Sequence, residues 1–501
     1  MTENPSTHQH PHQRLIVIGA GFAGLGMGIQ LKRRGEDDFV ILERADDVGG
    51  TWRDNTYPGA ACDVPSHLYS FSFRPNPDWS RMYPPGWEIQ QYMRDCAEQE
   101  GLMPHLHLNT NMEDASWDEG RGIWRVRTNR GVFTADYLVT GTGHLADEHF
   151  PDIPGLDGFT GHRFHSARWD HGVDLAGQRI GVVGTGASAI QVIPELAKTA
   201  SELVVFQRTP AYVIPRRERT FTDGERRLFR RDPQSMRDLR SELFWGGENN
   251  YAQRRAIPQF LDAAKAEALS HLASQVTDPE LREKLTPRYE PGCKRVLISN
   301  AYYPALTAPV TTVETSALSR LDGGRAVAAS GAEYELDAVV FATGFEATEP
   351  PFAEVVHGRG GLNLSEHWQQ GMQAYDSISV AGFPNLFIIN GPNTSLGHNS
   401  IVYIIEAQVE YILGALDHAR AERFQVMEPT REAEDAYVER IQRNAAGTVW
   451  IDGGCKSWYV DQRSGKLTLI WPDFGYAFRD ENARFSPEGY ELTRAELVSA
   501  G

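Results

Sequence analysis

Two glycine-rich turns, set 165 positions apart, constrain this chain of 501 residues more than any other feature. The first is Gly19-Ala20-Gly21-Phe22-Ala23-Gly24. It follows an apolar run, 14–20, that reads as a buried parallel strand, and it opens a helix ending near Gly35. Residues 39–43 read as the next strand. Such a strand–turn–helix–strand unit suits a dinucleotide. The first glycine makes the tight turn, the second lets the backbone approach the pyrophosphate at the helix N-terminus, and the third lets helix and strand pack closely. Glu43 lies 24 positions after Gly19, where a carboxylate accepts hydrogen bonds from both ribose hydroxyls.

The second turn, Gly184-Thr185-Gly186-Ala187-Ser188-Ala189, lies between a strand at 180–183 and a helix at 189–198, with a further strand at 203–207. Ala189 replaces the third glycine, and small size is what that position requires. The residue 24 positions after Gly184 is Arg208. Taken alone it is an ordinary surface arginine. At this spacing it suits a 2′-phosphate, which Glu43 would repel. The first turn is expected to hold FAD or NAD, and the second NADP(H).

The expected fold class is α/β, with two Rossmann-like dinucleotide-binding domains and a helical insertion in the NADP domain. Residues 1–13 are polar, carry three histidines and read as a disordered tail. Segments 14–150 and 380–501 are assigned to the FAD-binding domain, and 151–212 and 293–379 to the NADP-binding domain. Segment 213–292 is rich in Arg, Glu, Asp and Leu and reads as the insertion. Its interleaved acids favour a solvated helical face over a phosphate or RNA surface. Further strands are expected at 337–344 and 385–391. A helix is expected at 401–415, after Pro392, with its positive end towards the flavin. Short strands are expected within 457–479.

The net charge of −18 argues against a nucleic-acid partner and against attraction to anionic membranes. The apolar run 15–29 could pass for a signal peptide, but five glycines interrupt it, and no integral membrane segment is expected. Cys62, Cys96, Cys293 and Cys455 are scattered, with neither zinc-like nor C-x-x-C spacing, which suggests a reduced, cytoplasmic chain. Cys62 has no cysteine close by, which disfavours a disulfide reductase.

Residues 159–170 read Phe159-Thr-Gly161-His-Arg-Phe-His165-Ser-Ala-Arg-Trp169-Asp170 and match F-x-G-x-x-x-H-x-x-x-W-[PD] just before the second turn. This pattern is similar to the fingerprint of Baeyer–Villiger monooxygenases. The chain resembles that family over nearly its whole length, through 49–52 (GGTW), 57–63 (YPGAACD), 206–210 (FQRTP), 293–295 (CKR), 341–345 (FATGF) and 457–459 (SWY). Ala61 departs from it, since arginine is frequent there. The resemblance implies FAD and NADPH as cofactors. It implies oxygen insertion from O2 into a small-molecule ketone through a C4a-peroxyflavin, giving an ester or lactone. The neighbouring possibility is a flavin monooxygenase that oxidises sulfides or amines. A non-enzymatic NADPH sensor and a plain NADPH oxidase are further alternatives. A monomer or weak homo-oligomer is expected.

By the same resemblance Arg295 is the catalytic arginine beside the flavin and Asp63 the carboxylate that orients it. Without the motifs the two would be an ordinary ion pair. Expected cofactor-binding residues around the first turn are Gly19, Gly21, Phe22, Gly24, Glu43 and Arg44, together with Gly50, Thr51, Trp52, Asp63 and Tyr69. Around the second they are Gly184, Thr185, Gly186, Ala187 and Ser188, together with Gln191, Arg208, Thr209 and Lys294. Trp458, which alone would be read as core, is expected to close over NADP. His165 and Trp169 are expected to couple cofactor binding to domain movement; His165 alone would be a structural histidine.

Overall fold

The computed structural model describes residues 8–494. Around the first turn the chain builds a mixed sheet. Its spatial order is Val356–His357, Met112–Asp118, Ile123–Thr128, Gly131–Thr140, Gln13–Ile18, Phe39–Leu42 and Leu106–His107, with Leu386–Ile388 also pairing to Gly131–Thr140. In its parallel centre Val17 lies between Ile41 and Val139. All four residues of Phe39–Leu42 are buried, as a strand covered on both faces requires. The helix Phe22–Arg33 covers one face beside the long helix Ile401–Glu422, and Leu25, Met27, Ile405 and Ile412 share one core. A Cβ on Gly28 would stand 2.8 Å from the Ile41 side chain, so the missing side chain brings helix and sheet together.

The second sheet is wholly parallel, ordered Thr311–Glu314, Glu202–Phe206, Arg179–Val183, Ala338–Phe341 and His162–His165. The helix Ala189–Leu196 packs its Ile190 and Ile193 into the core formed with Val182 and Val205. Between the two halves of this unit run the helices Asp223–Arg231, Pro233–Glu248, Tyr251–Arg254, Pro258–Gln275 and Pro279–Lys284. Thr222 and Glu225 form a reciprocal capping box at the first of them. Three others begin on proline, whose missing N–H is not needed there.

Several expectations are corrected. Residues 8–13 are not a free tail: His10 stacks on Phe133 at 3.8 Å between ring centres, and its ring nitrogen reaches Arg130 O at 3.2 Å. Residues 1–7 of that tail lie outside the described residues. The chain rejoins the first sheet at Val356, ahead of the expected boundary at 380, through a two-residue pairing with Ala115 and Ser116 too short to leave a periodic signal. The aromatic segment 457–479 does not form ladder strands. Tyr459 and Trp471 are buried as core, and the helix Gly475–Asn482 begins within it. Cys293 and Cys455, 162 positions apart, form a disulfide; spacing along the chain carries no signal for such a pair, because folding alone brings them together. Cys62 and Cys96 remain free and buried.

Candidate active site

Gly19 has φ +97°, and a Cβ there would meet Gly141 O at 2.8 Å. A Cβ on Gly24 would stand 1.8 Å from Gly19 O, so only glycine lets the helix start this close to the strand. Gly21 and Gly50 face each other, and a Cβ on Gly50 would come 3.3 Å from the Gly21 Cα. The two bare backbones border a cavity also lined by Phe22, Glu43, Arg44, Thr51, Trp52 and Tyr69. Trp52 Nε1 donates to the Tyr69 hydroxyl at 3.2 Å, which fixes both rings at its wall. Asn390 lines the same cavity, and its Oδ1 is buried without a partner. Ile401 and Ile405 bring the first turn of the long helix to the cavity, where Ser400 caps the helix through Val402 N. A glycine cradle, a buried acid and an orphaned acceptor fit a dinucleotide carrying a flavin.

Glu43 is buried, and its carboxylate accepts from Ala20 N at 2.8 Å and Ala45 N at 2.9 Å, with Arg53 Nη1 at 2.9 Å. A carboxylate has about four acceptor sites, so capacity remains for a ribose. Arg44 donates to Asp147 at 2.6 Å and to Ala146 O at 2.8 Å, both also on the cavity wall. Arg53 and Asp54 were not singled out from the sequence, although they continue the 49–52 motif. They are bonded to each other at 2.8 Å, and Arg168 of the fingerprint segment comes within 3.5 Å of Asp54. The fingerprint residues have packing roles of their own. A Cβ on Gly161 would stand 2.4 Å from Asp337 O. His165 Nδ1 accepts from Ala167 N at 3.1 Å, and burial pushes its pKa down to about 4. Trp169 meets Phe164 edge-on at 4.9 Å.

At the second turn Gly184 has φ +121°, and a Cβ would stand 2.3 Å from Ala342 O. Thr185 Oγ1 donates to Thr209 O at 2.9 Å, tying the turn to the end of the next strand. Gly186 and Ala187 are exposed, Ser188 is half-buried and Ala189 is buried. Arg208 is exposed, while Lys294 packs over the Tyr289 ring at 5.6 Å. Burial first, then the charge of Arg208, push the Lys294 ammonium below its usual pKa. An ammonium pushed down by a neighbouring cation suits a phosphate, whose negative charge favours its protonated form. Gln191 lies in the first turn of the helix Ala189–Leu196. Its Oε1 accepts from the Tyr57 hydroxyl at 2.8 Å and Ala61 N at 3.3 Å, and its Nε2 donates to Ala61 O at 2.9 Å, so its amide holds the 57–61 segment.

Asp63 ends that segment. Arg295 Nε and Nη2 donate to its two oxygens at 2.7 and 2.8 Å. Both side chains keep an open edge, 24% exposed for Asp63 and 32% for Arg295. Burial pushes the Asp63 carboxyl up, but Arg295 and then Arg216 pull it further down, below the usual carboxylate value. Asp63 in turn holds the Arg295 guanidinium well above its usual value, against the cost of burial. Deleting one partner of such a pair leaves an uncompensated charge, at a cost of about 3–5 kcal/mol when fully buried. Tyr459 and Arg254, neither foreseen, complete the surroundings. Arg254 donates to Gly397 O at 3.0 Å, and burial and then Arg295 lower its pKa to about 10, against the opposing pull of Tyr459. Trp458, next to Tyr459, is 42% exposed.

Several known proteins are similar to this chain. Residues 16–218 match the family described as pyridine nucleotide-disulphide oxidoreductase. A Baeyer-Villiger monooxygenase of Streptomyces coelicolor is 45% identical, with 100% of this chain and 96% of that protein covered. One of Pseudomonas aeruginosa is 42% identical, with 100% and 95% covered. Among solved structures, a cyclohexanone monooxygenase from Rhodococcus sp. Phi1 bound to NADP+ superposes with a TM-score of 0.87 at 30% identity, covering 97% of this chain and 100% of that one. An oxidized steroid monooxygenase bound to NADP gives 0.85 at 30% identity, with 97% and 100% covered. With relatives of this identity along its whole length, the chain belongs to the Baeyer–Villiger monooxygenase family.

Proposed function

We propose that Asp63 and Arg295 are the working pair of a monooxygenase that uses FAD and NADPH to insert one oxygen atom of O2 into a ketone, giving an ester or lactone. The observation that carries this reading is the two-pronged bond between Asp63, on the segment beside the first sheet, and Arg295, which enters from the second unit. FAD, reduced by NADPH, supplies the activation of O2 when bound. The chain's own residues do the rest. Asp63 fixes the guanidinium plane of Arg295, whose remaining N–H groups would serve as preorganised donors towards developing negative charge. Glu43 receives a ribose, and the glycine faces of Gly21 and Gly50 admit a pyrophosphate. Arg208 and Lys294 would hold a 2′-phosphate, and Trp458 would close over bound NADP.

We assign the first sheet and its return from 356 to the FAD-binding unit, and the second sheet with the helical insertion to the NADP-binding unit. The expected setting is cytoplasmic, as a monomer or weak homo-oligomer. No helix among the described residues is long and apolar enough to cross a membrane.

Arg295→Ala tests the reading. The variant is expected to retain FAD and lose ketone oxygenation by at least about 10²–10³-fold, the scale for removing one preorganised donor. Normal ester yield from this variant would sink the assignment.

A further inference from the structure

We propose that Cys293 and Cys455 are a redox-modifiable pair that fastens the Trp458 segment to the segment bearing Lys294 and Arg295, and so sets how firmly NADP+ is retained. The inference rests on assigning Trp458 and Lys294 to the NADP side of the site. The disulfide spans 162 positions and joins two stretches that each carry assigned residues within three positions of a cysteine. Apart from the disulfide, the two stretches are joined by one backbone hydrogen bond, by close packing and by Tyr459 beside Arg295. Glu290 N donates to Gly453 O at 2.8 Å, and Gly453 packs so closely that a Cβ there would stand 2.8 Å from the Cys293 Cβ. Past Cys455 the chain buries Ser457, leaves Trp458 largely open, and buries Tyr459 near Arg295. With the disulfide made, the Trp458 segment cannot leave the Lys294 segment. With it reduced, the Glu290–Gly453 hydrogen bond, local packing and the contact of Tyr459 with Arg295 remain, while exposed Trp458 loses its covalent tether.

The two sulfurs are not equivalent. Cys293 is fully buried among Tyr212, Ala268 and Tyr289, whereas Cys455 is half-buried between exposed Gly454 and Lys456. An incoming dithiol therefore meets Cys455 first. Its thiolate attacks the Cys455 sulfur, and Cys293 leaves as a thiolate and takes up a proton. The second thiol of the reagent then displaces Cys455, so two electrons and two protons pass to the protein and the reagent becomes a disulfide. Reoxidation uses hydrogen peroxide, the product of O2 and reduced flavin when no ketone accepts oxygen. The Cys455 thiolate attacks the O–O bond, giving a sulfenic acid and, after protonation, water. Cys293 then closes on the sulfenic sulfur and a second water leaves. The other two cysteines do not compete, because burial pushes the Cys62 thiol far above its usual value and the Cys96 thiol up to about 11.

The test uses the FAD-loaded full chain and two readouts that need no ketone. Free thiols are counted after denaturation, with and without prior treatment of the native protein by dithiothreitol. NADP+ affinity is measured by fluorescence titration of the oxidised protein, the dithiol-treated protein and Cys455→Ser. Two thiols are expected in peroxide-treated protein and four after reduction. If the freed segment is docked for only about a third to a tenth of the time, the NADP+ Kd rises about three- to tenfold. Cys455→Ser should match the reduced protein and ignore dithiothreitol. Four thiols after peroxide treatment, or a Kd unmoved by reduction, would overturn the proposal. Because NADP+ binding is read without turnover, a failure of ketone oxygenation would register separately.

Discussion

Gly19 and Gly184 occupy the same place in their two turns, and the same contact holds both. Each has a positive φ, and each brings its backbone against a carbonyl from the end of the neighbouring strand, Gly141 or Ala342. Past that point the sites diverge. Gly24 has no room for a Cβ, while Ala189 carries one and buries it. Glu43 is 4% exposed and held by three donors; Arg208 is exposed and shares its surroundings with a second cation, Lys294. The turn is thus a property of the backbone, common to both units, and the difference lies in one side chain at the end of the following strand. The carboxylate at the first is held by protein donors. The second holds two mutually repelling charges that a phosphate would reconcile.

Gly24→Ala presses hardest on this difference. Its Cβ would meet a carbonyl oxygen in a contact that no rotamer relieves. The cost should exceed the roughly 1–3 kcal/mol of ordinary overpacking. The expected outcome is protein without yellow colour, or no soluble protein, read by flavin absorbance after purification. Bound flavin at normal stoichiometry would show that the helix can shift. Arg208→Glu comes next. Losing a charge-assisted contact is worth about 1.5–3 kcal/mol, so the preference for NADPH over NADH in kcat/KM should fall about 10- to 100-fold, with flavin content unchanged. An unaltered preference would leave Lys294 alone as the phosphate ligand.

The stretch joining the two units can be probed by pH. His165 is buried neutral with a pKa of about 4, against about 6.5 unfolded. The unfolded chain therefore binds more protons between these values, and stability is lost as pH falls through that window. His165 should contribute about 1 kcal/mol of that loss at pH 5.5. The drop in Tm between pH 7.5 and 5.5 should be smaller in His165→Asn than in the parent, and equal drops would place the acid sensitivity elsewhere, with His67 or His144, also pushed to about 4. The smallest effect belongs to Ala189→Gly, the mirror of the first substitution. It should lower stability by about 0.5–1 kcal/mol through helix propensity and leave NADPH affinity intact, as thermal melts and titration would show.

What could be read from the sequence was local. Gly19, Gly24, Glu43 and Arg208 announce themselves because their spacing follows from one strand, one turn and one helix. Arg254 reaches Gly397 across 143 positions, and Cys293 reaches Cys455 across 162; no periodicity encodes either. Arg53 sits beside a motif and Tyr459 within one, yet their partners come from other elements. The aromatic run at 457–479 has a strand-like composition, but Tyr459 and Trp471 are fixed by packing, and composition does not separate a ladder from a buried coil. His10 likewise looked like tail because nothing near it in sequence predicts Phe133 as its stacking partner.

Gln191 belongs by sequence to the helix of the second sheet, yet its three hydrogen bonds all end on Tyr57 and Ala61. Two positions further on from Ala61 stands Asp63. That short stretch is therefore held from both sides, by its own chain and by the helix that opens at the second turn. A shift of that helix would be felt two residues on at the Asp63 carboxylate, and through its two-pronged bond at Arg295.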